Sequence, residues 1–264
     1  MNPLFSPQSA TILQTEELNA HTRSFVLDIS LGAEPGQFVN IWLPNLDEKP
    51  FSVANDTGSE ITIIVSAVGP FSNALLTKKP GEKIGIRGPF GNTFSLQKNK
   101  KIVLVGGGFG TAPLHFLGKK AQKEDCEVTI IIGARTKDLL LFVDRCQHSQ
   151  FRTLFSTNDG SAGEKGLVTD ILQKLLETEQ IDLVQSCGPE KMMEAVAKLC
   201  QSKGIPSELS LERYMKCGFG LCGQCVCDGT LVCRDGTVFS GEKALSLSDF
   251  GTFHRDAEGR KKHW

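Results

Sequence analysis

The first hundred residues alternate short apolar runs with turn residues. The runs are rich in β-branched and aromatic side chains, and Gly, Pro, Asn and Asp separate them at short intervals. They read ATILQTEEL, SFVLDIS, GQFVNIWLP, FSVAND, EITIIVSAVG and EKIGIRGPFG. This pattern predicts a small antiparallel β-barrel over residues 1–98.

From about residue 99 the pattern changes to strands that alternate with helices. Apolar runs are each followed by an amphipathic segment, as in KIVLVGGGFGTAPLHFLGKKAQKED and IDLVQSCGPEKMMEAVAKLCQSKG. Such alternation is typical of a parallel α/β sheet. We therefore predict an α+β multidomain protein. After the barrel come an α/β parallel-sheet nucleotide-binding domain (99–204), a small cysteine module (205–240) and a polar C-terminal tail (241–264).

Composition and charge narrow the class of protein. The formal net charge of −1 over 264 residues, with no polybasic field, argues against nucleic-acid binding. The sequence has no apolar run of membrane-spanning length, and MNPLFS lacks the features of a secretory signal. We expect a cytoplasmic protein without a membrane segment. In that compartment nine cysteines favour metal or redox chemistry over disulfides, although the isolated Cys126, Cys146 and Cys200 are expected to be small core residues.

Five of the nine cysteines lie in KCGFGLCGQCVCDGTLVC, residues 216–233. Four of them have the spacing C-x4-C-x2-C-x7-C, which matches a plant-type [2Fe–2S] site. The predicted ligands are Cys217, Cys222, Cys225 and Cys233. A loop that delivers three thiolates to two irons needs little bulk and free backbone, so we expect positive φ at Gly218, Gly220 and Gly223. N–H groups of such a loop can also donate to the sulfurs.

The fourth thiolate is expected to return on a hairpin. A three-residue loop, Asp228-Gly229-Thr230, would place Cys225 and Cys233 on one face of the hairpin. A two-residue Asp-Gly turn would place them on opposite faces. We therefore predict the longer turn.

Two alternatives remain for this cluster of thiols. A structural zinc knot usually has two C-x2-C pairs, whereas here only Cys222 and Cys225 form such a pair. Cys227 is a spare thiol or a substitute ligand, and we predict that it is not a ligand. Unligated thiols are the remaining possibility.

A glycine-rich turn, VGGGFGTAPL, follows a predicted strand and opens a helix. Glycines there let a pyrophosphate approach the backbone at the helix N-terminus, although such a turn alone can be purely structural. A standard dehydrogenase would have an acidic residue at the end of the second strand. This chain has Gly133-Ala134-Arg135 instead, which favours a contact between Arg135 and phosphate.

The segment KPFSVAN combines a cation, an aromatic ring and a hydroxyl around a proline at the end of a barrel strand. This set can hold a phosphate and a flat ring, but an ordinary strand is an equal alternative. No paired carboxylates and no Ser-His-Asp set stand out in the sequence.

Together these motifs resemble the ferredoxin–NADP reductase superfamily, and more narrowly the electron-transfer subunits of dihydroorotate dehydrogenase B. The resemblance covers nearly the whole chain and rests on RGPFGNTF, GARTKDLLLF, STNDGSAGEKGLVTD, SCGPEKMM and SLERYMKCGFGLCGQC. It implies FAD on the barrel, NAD(H) on the α/β domain and a [2Fe–2S] cluster on the cysteine module.

The resemblance also implies site residues. The FAD contacts would be Lys49, Pro50, Phe51, Ser52, Val65, Ser66, Ala67, Gly69, Phe71 and Ser72. Lysine at position 49 replaces the family's usual arginine and loses a bidentate phosphate contact. The NAD contacts would be Gly107, Gly108, Gly110, Thr111, Arg135, Asp159, Gly188 and Pro189. Cys187 would lie beside the nicotinamide and the reactive edge of the flavin, or would be only a small residue at a strand end.

The implied function is electron transfer between NAD(H) and an FMN-containing catalytic subunit that oxidises dihydroorotate, in a heterotetramer of two copies of each subunit. NADH is preferred over NADPH only through the resemblance. The cysteine segment also resembles the flavin–iron–sulfur subunits of anaerobic sulfite reductases and of some hydrogenases. A redox sensor without catalysis and a zinc-bearing module are further readings. The tail, with Phe250, Phe253 and Trp264, is either a docking face or a solvated end.

Overall fold

The computed structural model describes residues 6–263. The first six strands of that range pair in the order β1-β2-β5-β4-β3-β6 and close into an antiparallel barrel, as predicted. A short helix, α1, connects the fifth strand to the sixth. The elements are β1 (Gln8–Asn19), β2 (Thr22–Asp28), β3 (Phe38–Leu43), β4 (Asp47–Asp56), β5 (Ile61–Ser66), α1 (Pro70–Leu76) and β6 (Lys83–Phe90).

The barrel closes around one apolar side of each strand. Along β5 the buried positions are Ile61, Ile63 and Val65, and the intervening residues are partly exposed. This alternation has the period of a strand with one face in a core. Phe25 on β2 and Ile41 on β3 are also fully buried in the same interior.

The α/β region begins at residue 101, and the predicted alternation of strands and helices is confirmed. Short 3₁₀ turns cover Gly108–Gly110 and Lys137–Leu139. The regular elements are β7 (Lys101–Gly107), α2 (Thr111–Gln122), β8 (Glu127–Ala134), α3 (Val143–His148), β9 (Arg152–Thr157), β10 (Glu164–Lys165), α4 (Val168–Thr178), β11 (Leu183–Cys187), α5 (Glu190–Lys203) and β12 (Ser207–Ser210).

The strands β10-β9-β8-β7-β11-β12 are parallel neighbours in one sheet. Because they are parallel, their carboxyl ends meet at one edge, which is where ligands bind in open α/β sheets. The glycine-rich turn, the loop after β8, the loop after β9 and the CGP segment all lie at this edge.

The cysteine region contains short elements: β13 (Val226–Cys227), β14 (Thr230–Leu231), α6 (Val232–Asp235), β15 (Val238–Ser240), α7 (Gly241–Ser246), β16 (Phe253–Arg255) and β17 (Lys261–His263). β15 pairs antiparallel with β12 and forms an edge of the α/β sheet. The sheet therefore extends past residue 204 into the segment that we assigned to the cysteine module.

The predicted three-residue hairpin turn is wrong. Cys227 pairs with Thr230 and Val226 with Leu231, so the turn has two residues, Asp228 and Gly229. The strand alternation ends at Leu231, because the chain then enters the helical turn α6. That helical turn directs Cys233 back toward Cys225, which a continued strand would not do.

The first part of the tail packs against the rest of the chain. Phe250 and Phe253 are only 5% and 8% exposed, and Phe250 lies in the same apolar cluster as Cys225 and Cys233. The Asp228 N–H donates to the Asp249 carboxylate at 3.0 Å, and the Ser248 N–H donates to the Asp228 carboxylate at 2.9 Å. These two phenylalanines are therefore packed inside the chain and are not a docking face, whereas residues 257–263 are largely exposed. Residues 1–5 and Trp264 lie outside the described residues.

The expectation that Cys146 and Cys200 are core residues is confirmed, since both are fully buried. Burial raises the pKa of each thiol from 9.0 to about 12. The folded protein therefore keeps protons on these thiols that the unfolded chain releases above pH 9. Stability from this source is complete below pH 9 and is lost as the pH rises from 9 toward 12, by up to about 1.4 kcal/mol per pH unit per thiol.

We expect Cys146→Ala to reduce the slope of this alkaline loss. The measurement is urea unfolding of the wild-type and variant proteins at intervals between pH 8 and pH 10.5. Equal slopes for the two proteins would show that Cys146 ionises as readily in the folded state as in the unfolded chain.

Candidate functional site

The cysteine loop has the backbone that the sequence predicted. Gly218, Gly220 and Gly223 have φ values of 86°, 85° and 72°. A side chain at Gly218 would lie 2.9 Å from the Phe90 ring, so the loop lies directly on the barrel. Positive φ and close approach together explain why glycine occupies this position.

Four sulfurs are arranged as two pairs. The Cys225 and Cys233 sulfurs lie 3.2 Å apart, and Cys222 is near enough to Cys217 to lower the pKa of the Cys217 thiol. Among residues 6–263, no group of three or more His, Cys, Asp or Glu side chains converges on a point where a single metal ion would bind. The four cysteine sulfurs carried by this short segment suit a two-iron cluster with four cysteine ligands.

Backbone N–H groups point at these sulfurs. The Gly220 N–H donates to Cys233 Sγ at 3.2 Å, and the Leu221 N–H donates to Cys217 Sγ at 3.3 Å. The hydrogen bond between Cys225 and Cys233 lowers the pKa of the Cys225 thiol to about 6 and raises the pKa of the Cys233 thiol. Burial alone would raise the pKa of Cys217, but hydrogen bonds from the backbone outweigh burial and lower it to about 7. Cys217 and Cys225 therefore lose their protons more readily than Cys233 does, and the thiolate is the form that binds iron.

Cys227 differs from the four predicted ligands. It is fully buried, and burial raises the pKa of its thiol. Its sulfur accepts a hydrogen bond from Arg213 Nη2 at 3.0 Å. Its position against a guanidinium supports the prediction that Cys227 is not a ligand.

Two barrel residues hold the cysteine loop. Asn40 Nδ2 donates to the Lys216 carbonyl at 3.0 Å, and Arg87 Nη2 donates to the Cys217 carbonyl at 3.2 Å. The Arg87 guanidinium also binds the Glu48 carboxylate through two bonds of 2.6 and 2.7 Å. The first cysteine of the motif is thereby fixed to the barrel wall.

The predicted flavin segment lies next to this contact. Pro50 on β4 is the register partner of Asn40 on β3, and neighbouring strands are about 4.8 Å apart. Lys49 Nζ lies 2.5 Å from an Asp47 carboxylate oxygen and 3.1 Å from the Tyr214 hydroxyl. Burial alone would lower the pKa of Lys49, but its bonds to Asp47 and Tyr214 outweigh burial and raise it. The lysine is charged, and its ammonium is already paired with a barrel carboxylate and with the Tyr214 hydroxyl.

The other predicted FAD residues differ in their surroundings. Phe51 and Phe71 have ring centroids 6.1 Å apart, while Ser52 and Ala67 are exposed on the barrel surface. Val65 faces the barrel interior and can offer a ligand only its backbone. Ser66 Oγ lies 3.0 Å from Thr22 Oγ1.

The side chain of Ser72 stabilises the turn before α1. The Ser72 hydroxyl accepts from the Val68 N–H at 2.9 Å and the Gly69 N–H at 3.0 Å, and it donates to the Gly69 carbonyl. Ser72 is buried. The structure therefore gives Ser72 the role of shaping this turn.

The structure brings the glycine-rich turn and the CGP segment together. A Cβ on Gly110 would lie 2.5 Å from the Cys187 carbonyl oxygen, and a Cβ on Gly107 would lie 2.6 Å from Pro189. Gly188 has a φ of 150°, and a Cβ there would lie 2.9 Å from the Gly107 nitrogen. The two motifs form one surface at the carboxyl ends of β7 and β11.

A buried polar atom without a partner lies behind this surface. Thr111, the first residue of α2, is fully buried, and its hydroxyl has no hydrogen-bond partner among residues 6–263. Gly108 adds a positive φ of 55° to an open turn. An open glycine turn at the N-terminus of a twelve-residue helix fits a pyrophosphate.

Arg135 and Asp159 lie on neighbouring loops of the same edge. The Arg135 side chain is exposed, and its carbonyl accepts from the Asp159 N–H at 3.3 Å. The Asp159 carboxylate accepts from the Ser161 hydroxyl at 2.7 Å, and this bond lowers the pKa of Asp159. Asp159 is therefore a carboxylate that already has one local partner.

Cys187 lies beside Gly106 at the end of β11 and is 9% exposed. Burial first, and then the charge of Glu212, raise the pKa of its thiol to about 12. At neutral pH the residue is a neutral thiol and is not a nucleophile. Its chemistry is limited to contact and weak hydrogen bonding.

Sequence reasoning missed several residues of this region, namely Asn40, Arg87, Glu212, Arg213 and Tyr214. Asn40 and Arg87 are polar residues inside strands whose other residues are largely apolar, and this contrast was a usable signal. The segment that precedes the first cysteine, SLERYMK, contains the other three but has no motif with a known mechanism. Their role depends on tertiary contacts.

Comparisons with known proteins agree with this geometry. The model for the iron–sulfur cluster binding domain of dihydroorotate dehydrogenase B matches residues 212–244. The model for the oxidoreductase NAD-binding domain matches residues 104–198. None of the helices within residues 6–263 has the length and apolar character needed to span a bilayer.

Relatives extend the match to the whole chain. A probable dihydroorotate dehydrogenase B (NAD(+)) electron transfer subunit from Methanocaldococcus jannaschii is 40% identical over 98% of this chain and 99% of its own length. A solved chain of an NADH-dependent reduced ferredoxin–NADP oxidoreductase, studied for flavin-based electron bifurcation, is 33% identical with a TM-score of 0.81 and 88% coverage of each chain.

A flavohemoglobin from Malassezia yamatoensis, solved with bound FAD and heme, shares the fold. It has a TM-score of 0.63 and 18% identity, over 76% of this chain and 57% of its own. The 40% identity to the Methanocaldococcus jannaschii subunit, over nearly the full length of both chains, shows the family. The chain belongs to the family of dihydroorotate dehydrogenase B electron transfer subunits.

Proposed function

We propose that this chain carries electrons between NAD(H) and an FMN-containing catalytic subunit that oxidises dihydroorotate, by means of bound FAD and a [2Fe–2S] cluster. The observation that carries the proposal is the junction of β3 with the cysteine loop. Asn40 holds the carbonyl next to Cys217 and is the register partner of Pro50 in the flavin segment. Strand β4, which contains the predicted flavin segment, and the cysteine loop are thus both bound to strand β3.

The residues present fit each cofactor. The paired sulfurs and their N–H donors fit two irons, and the open turn before α2 fits a dinucleotide pyrophosphate. When bound, FAD would accept a hydride from NADH and release electrons singly, and the cluster would carry one electron at a time. The protein's part is to hold these groups, which explains why the neutral Cys187 thiol needs no acid–base role.

We further propose a division of the chain by cofactor. Residues 1–98 would bind FAD, residues 99–204 would bind NAD(H), residues 205–240 would hold the cluster, and residues 241–264 would tie the cluster module down. The FAD contacts would include Pro50, Phe51 and Ser52, and the cluster ligands would be Cys217, Cys222, Cys225 and Cys233. All nine cysteines, which lie within the described residues, are free thiols, in keeping with the cytoplasm as the proposed compartment.

The test is anaerobic purification followed by an NADH titration monitored by visible and EPR spectroscopy. We expect flavin absorption, about two irons per chain and an EPR signal after reduction. Co-expression with candidate partners then distinguishes the partner. Copurification of an FMN protein with dihydroorotate activity supports the proposal, whereas a sirohaem or nickel partner would favour the sulfite reductase or hydrogenase reading.

The expected assembly is a heterotetramer of two copies of each subunit, with the partner contacting the exposed tip of the cysteine loop. Leu221 is 79% exposed beside the exposed Cys222. An exposed leucine at the metal loop is suited to the apolar centre of an interface. We expect Leu221→Asp to slow electron transfer to the partner about tenfold by weakening this contact.

The readout for Leu221→Asp is dihydroorotate-linked NAD⁺ reduction by the assembled complex, with ferricyanide reduction by NADH as the internal reference. Leu13→Asp is the matched control, because Leu13 is also exposed but lies on barrel strand β1. Equal rates for the two variants in the partner assay would argue against docking at the loop tip.

A further inference from the structure

A buried ion pair lies outside the cofactor contacts described above. Arg213 and Glu190 form a two-pronged bond, and each side chain is only 2% exposed. Burial alone would lower the pKa of Arg213, but the bond to Glu190 outweighs burial and raises it. Arg213 is therefore held as a guanidinium cation.

The pair joins three separate segments. Arg213 Nη2 also donates to the Cys227 sulfur at 3.0 Å, two residues from the predicted ligand Cys225. The Glu190 carboxylate accepts from the Gly251 N–H of the tail at 2.7 Å. One guanidinium and one carboxylate thus connect helix α5, the cysteine hairpin and the tail.

Glu190 and Arg213 each lie close in sequence to a segment that approaches Cys187. Glu190 opens α5 three residues after Cys187, directly behind the CGP segment that contacts the glycine-rich turn. Ser210, three residues before Arg213, is the register partner of Cys187 on the neighbouring strand, and Arg213 Nη1 donates to the Glu212 carbonyl at 2.8 Å. The ion pair therefore fixes both chain segments that approach Cys187.

Stability alone is a weak reason for such a pair. Apolar residues of similar size in place of a buried ion pair often leave stability unchanged or increase it. The fork geometry of arginine instead fixes direction, since it bonds several acceptors in one plane. Here the acceptors belong to the nicotinamide-side loop and to the iron-side hairpin.

We propose that Arg213 and Glu190 are positioning residues that hold the CGP segment and Glu212 in the geometry needed for hydride transfer, and that lock this geometry to the cysteine module. This inference rests on the proposed function. It extends it, because it gives a role to residues that contact neither nucleotide nor iron.

The test uses two variants of the FAD- and iron-loaded protein. One is Arg213→Lys, and the other is a double variant that carries both Glu190→Gln and Arg213→Met. Lysine keeps the charge but cannot bond Glu190, Cys227 and the Glu212 carbonyl together. The double variant removes both charges and keeps an amide oxygen for the Gly251 N–H. Lys198→Met is the control, because it breaks an exposed ion pair with Glu194 on the same helix.

Two readouts separate positioning from stability. Rapid mixing with saturating NADH gives the rate of flavin reduction per bound FAD, and we expect a loss of about tenfold or more in both test variants with iron content unchanged. Hydrogen exchange gives the protection of residues 187–193 and of Gly251, which we expect to fall in Arg213→Lys and to remain intact in Lys198→Met.

A double variant with the wild-type rate per FAD and wild-type exchange in residues 187–193 would overturn the proposal and leave the pair a stability element. If Arg213→Lys fails to load iron, the flavin reduction rate and the hydrogen exchange of the double variant still test the proposal. Failure of NADH to reduce the wild-type flavin would contradict the proposed function instead, while the exchange measurement would still test the positioning.

Discussion

Replacement of Cys217 with serine should abolish electron transfer to the partner while NADH still bleaches the flavin. A hydroxyl is a poor substitute for the thiolate that the loop prepares by lowering the pKa of Cys217 to about 7. The cluster signal should disappear from the EPR spectrum. Dihydroorotate-linked NAD⁺ reduction should fall by about a hundredfold or more, at the upper end of what altered metal sites cost. The measurements are iron content, EPR and both activities on the same preparation.

Cys227→Ser is the matched control for this experiment. It makes the same change of sulfur to oxygen ten residues further along, at a thiol that accepts from Arg213. We expect this variant to keep its iron and its cluster signal. Intact partner activity in Cys217→Ser would show that the cluster is not on the path. Loss of iron in Cys227→Ser would show that Cys227 is a ligand.

Gly110→Ala should have the second large effect, on the nucleotide side of the molecule. The φ of Gly110 is −63°, which any residue adopts, so close approach alone requires glycine. The added Cβ would lie 2.5 Å from the Cys187 carbonyl oxygen and 2.7 Å from the Gly188 nitrogen. Both are backbone atoms, so the glycine turn and the CGP segment must separate. A misplacement of about 1 Å costs about a hundredfold in rate.

Stopped-flow reduction of the flavin by NADH measures this loss. The internal control is dithionite, which needs no nucleotide site, so dithionite should reduce the flavin and the cluster of the variant as in the wild type. An unchanged NADH rate would mean that the two segments need not touch for hydride transfer. A loss of bound FAD would indicate a wider disturbance of the fold.

The barrel, the α/β alternation and the iron loop could be predicted from the sequence because each rests on local regularities. Strand alternation marks Ile61, Ile63 and Val65 as interior, and cysteine spacing with intervening glycines defines a loop that must turn through positive φ. These features depend on residues close together in the chain.

The wrong prediction for the cysteine hairpin arose where tertiary contacts decide the local structure. The return of Cys233 was predicted from strand alternation, but the helical turn α6 interrupts that alternation after Leu231. The assignment of Lys49 to FAD stays a prediction, but the contacts of its ammonium with Asp47 and with the Tyr214 hydroxyl were not foreseen. Tyr214 is 165 residues away in sequence, and no local pattern reveals such a contact.

The antiparallel strand β15 has a consequence for handling the protein. It covers the backbone of β12 at the margin of the α/β sheet, and it belongs to the iron-binding part of the chain. If oxygen strips the irons and that part unravels, β12 is left with unpaired N–H and C=O groups. A bared margin of this kind recruits strands from other molecules. Damage by air would then end in precipitation of the whole subunit, well beyond the loss of one redox centre.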